Sequence, residues 1–348
     1  MKKIAIMGAG GFGTALALVL SRNGHEITLW DKEKALVKHW RSIGYSDRYP
    51  YLTKHRFPKN LILDETNTIE AGDYNFVVIS SSMSGIRDTL ERLRPNGKTP
   101  IVLIQKGMLR DLVSPSDLVQ KIHPNEKIIQ FTGAAFAKDL ANNAPAGMMV
   151  VHEPKNRNSA HKFANLFLGS NIWPTSCSDV FGINIHNALR TIASFEQGFV
   201  FGYFQKKLRG KPPVSTIAVT FSAISQEAKI IARELGATKR IHDIASKTHR
   251  IIEADLMLCQ NDTSRNFALG HFVGKGLNLN DATKKVTEGV SESVPNIGSI
   301  YKALSKKHSK AELALRFPYL SAAYSLINEG NITHEMEKIL FHHESYLA

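Results

Sequence analysis

The run GAGGFG at Gly8 to Gly13 constrains this chain more than any other stretch, because of the segments that flank it. KIAIM (Lys3 to Met7) precedes it, a short apolar run that predicts a buried strand. TALALVLSRNG (Thr14 to Gly24) follows, with apolar residues at helical spacing and a glycine where a helix would end. HEITLW then predicts a second strand and delivers Asp31 about 20 residues beyond the first glycine. A lone GxGxxG says little. Set between a strand and a helix, with an acid at that distance, it is the fingerprint of a Rossmann dinucleotide-binding unit.

Each residue type has a physical reason. Gly8 permits the tight turn out of the strand, Gly10 lets the backbone approach a pyrophosphate, and Gly13 lets the helix pack closely on the sheet. Gly11 and Phe12 complete the loop, and the exposed N–H groups at the helix start receive phosphate. Asp31 accepts hydrogen bonds from a ribose 2′-hydroxyl and repels a 2′-phosphate, so NAD is the expected cofactor, with NADP as the alternative. Lys32 beside it blunts that preference. The competing reading of the same residues is a glycine-rich turn with no ligand.

At 348 residues the chain is long enough for two domains with real cores. A hydrophobic content of 43% with 22% charged residues is that of a globular protein, and no apolar stretch approaches the ~20 residues of a spanning helix. The N-terminus enters a strand directly, without a signal-peptide pattern, and two cysteines imply no disulfide framework. A cytoplasmic setting is the expectation. The net charge of +13 favours small anionic partners, but the basic residues are dispersed, so neither a specific nucleic-acid partner nor a membrane is expected.

Strand-like and helix-like segments alternate through the first half. Further strands are predicted at Tyr74 to Ser80, Pro100 to Gln105, Lys127 to Phe131 and Gly147 to His152, the pattern of a parallel sheet covered on both faces. Beyond about residue 177 helical periodicity takes over, at Val180 to Phe204, Ser215 to Leu235, Lys302 to Leu315 and Ala322 to Glu329. Pro212–Pro213 and Pro295 to Gly298 mark its loops. The expected fold is an α/β Rossmann-like parallel-sheet domain over residues 1–177 followed by an all-α domain over 178–348.

Several further segments carry a resemblance. GAGGFGTALALVL, QKGM (Gln105 to Met108), TGAAFAKDLA (Thr132 to Ala141), ALR (Ala188 to Arg190), ADL (Ala254 to Leu256), TSRN (Thr263 to Asn266), VTEGV (Val286 to Val290) and PYLSAAYSLINEG (Pro318 to Gly330) stand in the order and rough spacing of NAD(P)-dependent glycerol-3-phosphate dehydrogenases. The chain resembles that family nearly end to end. The resemblance implies hydride transfer between a nicotinamide cofactor and the secondary alcohol of glycerol 3-phosphate, giving dihydroxyacetone phosphate, within glycerophospholipid metabolism. It also implies a homodimer. It assigns Lys106, Gly133, Ala135, Ser264, Arg265 and Asn266 to the substrate, the last two to its phosphate. Ala137, Arg265, Val286 and Glu288 join the glycine loop, Asp31 and Lys32 at the cofactor, and Asp255 orients the catalytic cation.

The departures from the family pattern cluster where the chemistry lies. The family's general acid/base lysine is replaced by Arg190, which polarises a carbonyl oxygen but does not readily shuttle a proton. His186 and Asn187 stand where the family has glycines, and His186 lies one helical turn before Arg190, where it could take over proton transfer; the competing reading is a histidine satisfied by packing or surface water. Ala134 and Ala135 replace a proline and serine, and Ser80 to Ser82 a valine-proline-serine run. The catalytic set is therefore Arg190, Lys106, Asp255 and His186. Two rivals stay open: a paralogous dehydrogenase acting on another small phosphorylated substrate, and a non-catalytic NAD-binding protein.

Overall fold

The computed structural model describes residues 1–106, 112–258, 264–286, 291–329 and 340. Its contacts divide the chain into two compact units. One comprises Met1–Lys106, Ser114–Val180 and Ala245–Ile251; the other holds Phe181–Ile244 and the described residues from Ile252 onward.

In the first unit, the apolar runs become strands of a twisted sheet. The elements run β1 (Lys3–Met7), α1 (Gly11–Arg22), β2 (Glu26–Trp30), α2 (Lys34–Ile43), β3 (Leu61–Asp64), β4 (Ile69–Glu70), β5 (Phe76–Ile79), α3 (Ile86–Glu91), β6 (Leu93–Arg94) and β7 (Ile101–Leu103). They continue with α4 (Pro115–Ile122), β8 (Ile128–Ala134), α5 (Ala137–Ala141), β9 (Ala146–His152), α6 (Arg157–Ala164) and β10 (Ile172–Cys177). The main sheet has the order β10-β9-β8-β7-β5-β1-β2-β3. Strand order reverses between β1 and β5, which makes the carboxyl ends of those two strands the topological switch point where such sheets bind ligands. The central strands are fully buried and α1 inserts Ala15 to Leu20 into the core, so neither β1 nor α1 alternates in polarity.

The all-parallel expectation needs correction at one pair. β8 and β9 are antiparallel, because the chain between them turns back after only the one-turn α5, with Asn143 at positive φ. β3 and β10 were not foreseen. LILD is too short a run to stand out, and Pro174 argues against a strand unless, as here, the strand lies at a sheet edge.

The second unit is helical: α7 (Val180–Leu208), α8 (Val214–Glu234), α9 (Lys247–Met257), α10 (Arg265–Gly274), α11 (Leu279–Lys285), α12 (Ser293–Leu304), α13 (Lys310–Arg316) and α14 (Pro318–Glu329). The division between units falls within α9. Two expectations change here. Pro295 to Gly298 is not a loop but the first turns of α12, where the missing proline N–H would have had no helical partner in any case. The helix expected over Lys302 to Leu315 is broken by a capping box at Ser309: its hydroxyl accepts from Glu312 N–H while the Glu312 carboxylate accepts from Ser309 N–H. Among the described residues no helix is long and apolar enough to cross a membrane.

Candidate active site

The glycine loop leaves β1 at the switch point, and each glycine has a reason visible in its surroundings. Gly8 has φ +114°, and a Cβ there would meet Ser81 N at 2.7 Å. A Cβ on Gly13 would collide with the Gly8 carbonyl and the Ser80 side chain, and one on Gly11 with the Tyr51 hydroxyl. At Gly10 nothing lies within 4 Å, so the backbone is open to a ligand there. Gly10 is also the N-cap of α1 and supplies no side-chain cap, which leaves the first N–H groups of the helix to an anion. Phe12, by contrast, packs against the sheet core.

Asp31 sits at the end of β2, almost buried. Its Oδ2 accepts from Ala9 N–H at 2.9 Å and its Oδ1 from Glu33 N–H at 3.1 Å. Arg48 approaches to 3.9 Å, while Lys32 points its ammonium at Asp88, 3.2 Å away. Tyr51, Glu33 and Arg48 were not singled out from sequence; Glu33 is the N-cap of α2, and Arg48 and Tyr51 arrive through a loop that folds back on the glycine turn. These residues fit a dinucleotide: a cradle with no Cβ, a helix start, and an oriented carboxylate.

Also in the first unit, Lys106 follows β7 and donates from Nζ to the Gly133 carbonyl at 2.6 Å. Gly133, next to last in β8, has φ +151°, and a Cβ there would lie 2.6 Å from the Gly147 carbonyl oxygen, so only glycine fits. Ala135 N–H donates back to the same Gly133 carbonyl at 3.1 Å, and Ala137 opens α5. Lys106, Gly133, Ala135 and Ala137 thus form one local group.

In the second unit, α7 carries His186 and Arg190 on one face, both directed at Asp255 of α9. Arg190 Nε lies 3.0 Å from Asp255 Oδ1, and His186 Nε2 lies 4.0 Å from Oδ2. Asp255 is fully buried and the Arg190 side chain is 14% exposed. A buried carboxylate of this kind is tolerated only with its cation in place. Burial pulls the His186 imidazole down to about 4, against the smaller opposing pull of Asp255, so at neutral pH it is uncharged. Proton transfer by His186 would therefore start from a neutral ring. Thr191 beside Arg190 accepts from Asn296 Nδ2 at 2.8 Å, which ties α12 to α7.

Ser264 is the N-cap of α10, and it also exchanges a 2.8 Å hydrogen bond with Ser194 of α7. Arg265, at the first helical position, is exposed, and Asn266 follows. Asn266 Oδ1 accepts from the Ser291 hydroxyl at 2.8 Å, from Glu292 N–H at 3.1 Å and from Ser293 N–H at 3.0 Å. Three donors on one atom fix that atom as oxygen and cap the start of α12, leaving Nδ2 to donate to an anion.

The seam between α7 and α10 is built from glycines. A Cβ on Gly198 or Gly202 would strike the Phe267 or His271 carbonyl, and one on Gly270 or Gly274 the Phe195 or Phe199 carbonyl. The two backbones touch, which sets the start of α10 against the Arg190 stretch of α7. Val286 ends α11 in extended conformation. Glu288 lies outside the described residues, as do Gly107, Met108, Thr263, Thr287, Gly289, Val290 and Gly330 of the segments quoted above.

A Rossmann-like sheet with an open glycine loop is joined in sequence to a helical unit, and the family that this architecture matches makes the chain an NAD(P)-dependent oxidoreductase acting on a CH–OH group. Family models agree across both halves: residues 3–158 match the NAD-dependent glycerol-3-phosphate dehydrogenase N-terminus and residues 179–338 its C-terminus. The chain belongs to the NAD-dependent glycerol-3-phosphate dehydrogenase family. Among its relatives are glycerol-3-phosphate dehydrogenases [NAD(P)+] of Ehrlichia ruminantium, 28% identical over 94% of this chain and 96% of that protein, and of Francisella philomiragia, 26% identical over 94% of each. The fold is similar to that of glycerol-3-phosphate dehydrogenase from Coxiella burnetii (TM-score 0.76, 21% identity, 98% and 99% coverage). It is also similar to that of the Saccharomyces cerevisiae enzyme (TM-score 0.74, 16% identity, 97% and 98% coverage).

Proposed function

We propose that this chain interconverts dihydroxyacetone phosphate and glycerol 3-phosphate with NAD as its preferred cofactor. The observation that carries the reading is the buried Arg190–Asp255 pair at the position of the family's catalytic lysine. When bound, the cofactor supplies or takes up the hydride exchanged with C2. The glycine loop and Asp31 would hold it, with Ala137, Arg265, Val286 and Glu288 as further contacts.

Arg190 carries a permanent positive charge and stabilises the oxyanion that develops on the C2 oxygen, the role in which a fixed cation lowers the barrier most. Asp255 holds Arg190 by Nε, so the guanidinium is oriented before substrate arrives. Lys106, oriented by the Gly133 carbonyl, supplies the ammonium and the titratable proton that arginine does not. Arg265 and the Nδ2 donors of Asn266 anchor the phosphate, with Ser264 as a further substrate contact from the helical unit and Gly133 and Ala135 as those from the first unit. His186 contributes a neutral imidazole beside Asp255.

A paralogous dehydrogenase for a different small phosphorylated substrate is the second reading, favoured by His186 and the loss of one side-chain hydroxyl in the Ala134–Ala135 stretch. A cytoplasmic homodimer is part of the main reading. The test is reduction of NAD on adding sn-glycerol 3-phosphate at alkaline pH, beside a panel of other small phosphorylated alcohols. Fastest turnover of glycerol 3-phosphate supports the first reading; a different preferred alcohol replaces it with the second.

A further inference from the structure

Beside Asp31 the structure places an ion pair that the fingerprint does not require. Arg48 Nη2 lies 3.1 Å from Glu33 Oε1, and Arg48 Nη1 lies 3.9 Å from Asp31 Oδ2. Arg48 reaches this position because its loop is pinned on both sides. Gly44, at φ +77°, ends α2 and turns the chain back. Asp47 accepts from the indole N–H of the fully buried Trp40 at 2.8 Å and pairs with His39 at the same distance. Three residues after Arg48, the Tyr51 hydroxyl rests on Gly11 of the cofactor cradle. Arg48 is thus held over the acid that, on the reading above, meets the adenosine ribose.

Asp31 itself has no freedom to withdraw. Each of its oxygens accepts a backbone N–H, one from the glycine loop and one from the start of α2, and turning it away would orphan both. What remains adjustable is the charge around it. Lys32 is engaged with Asp88, so Arg48 is the guanidinium available to a 2′-phosphate, and Glu33 already holds it.

We propose that the Glu33–Arg48 pair is a selectivity gate at the adenosine 2′ position. By holding the guanidinium, Glu33 denies a 2′-phosphate its bidentate partner while Asp31 still receives a 2′-hydroxyl. The inference rests on the dinucleotide reading of the proposed function. The pair is half-exposed, so its effect is modest and weakens with salt.

The test is equilibrium binding of NADH and NADPH, followed by nicotinamide fluorescence, to the wild-type chain, Glu33→Gln, and the Glu33→Gln/Arg48→Ala double variant. Glu33→Gln should tighten NADPH by about fivefold at low salt, with NADH changed less than about twofold, and the double variant should lose that gain. Equal effects on both dinucleotides, no effect on either, or a gain that survives loss of Arg48 would overturn the gate and leave the dinucleotide site standing. A wild-type chain that binds neither dinucleotide would overturn both.

Discussion

Arg190 Nε and Asp255 Oδ1 lie 3.0 Å apart across α7 and α9, with the carboxylate fully buried and the guanidinium reaching the surface at one edge. The relationship is electrostatic. Asp255 lies against the buried Nε end of the guanidinium, and on the proposed reading the other end meets the C2 oxygen. Arg190→Met should therefore lower kcat by about 10²–10³-fold, the usual cost of removing one preorganised charge donor at a developing oxyanion. It should also destabilise the fold, because Asp255 then keeps an uncompensated buried charge. Steady-state kinetics and a thermal melt measure the two effects separately.

Asn266 does two jobs with opposite ends of one amide. Its oxygen caps α12, and on the proposed reading its nitrogen donates to the substrate phosphate. Asn266→Asp keeps the cap and loses the donors, so KM for the phosphorylated substrate should rise roughly tenfold or more while the melting temperature stays nearly unchanged. Asn266→Ala should damage both. Equal KM values for the two variants and the wild type would remove Asn266 from the phosphate site.

Gly198 and Gly270 face each other's helices at backbone contact. Gly270→Ala forces apart two helices that have no side chain to yield. We expect a loss of about 1–3 kcal/mol in a denaturant titration. Gly298, inside α12 with nothing within 4 Å, is the control: alanine there should be neutral or stabilising.

Glu196 of α7 and Glu227 of α8 are buried together. Burial raises both above the usual carboxylate range, and Glu227's charge raises Glu196 further. Glu227 accepts from Tyr319 N–H and Leu320 N–H at the start of α14, which pulls its carboxyl part of the way back down, but burial outweighs both bonds. An acid whose folded-state pKa is raised contributes stability that is complete below its unfolded value. That contribution is lost as pH rises through the folded one, here reaching about 8 for Glu227. The melting temperature should therefore fall as pH rises from about 5 to about 8. Glu196→Gln should recover roughly 2–4 °C at the alkaline end and little at pH 5.

The first unit was legible because its signals are local. A strand, three glycines, a helix and an acid follow one another within Lys3 to Asp31, and each is dictated by backbone sterics. The second unit was legible as helices but not in its joints. Pro295 looks like a breaker until its place in the first turn is known, and the capping box at Ser309 was present but overlooked within a longer apolar pattern. Arg190 and Asp255 were paired through family resemblance, whereas the Ser194–Ser264 and Thr191–Asn296 bonds depend on helix packing that no local pattern encodes. Arg48 was missed for the same reason: a loop residue gains meaning only when the loop is seen to fold back on Asp31.

The most direct test of the account is absorbance of reduced nicotinamide when the purified chain is mixed with NADH and dihydroxyacetone phosphate. Oxidation of NADH that depends on the ketone, and that Arg190→Met slows by about 10²–10³-fold, is the predicted result. NADH that binds but stays reduced would contradict a dehydrogenase built on the Arg190–Asp255 pair.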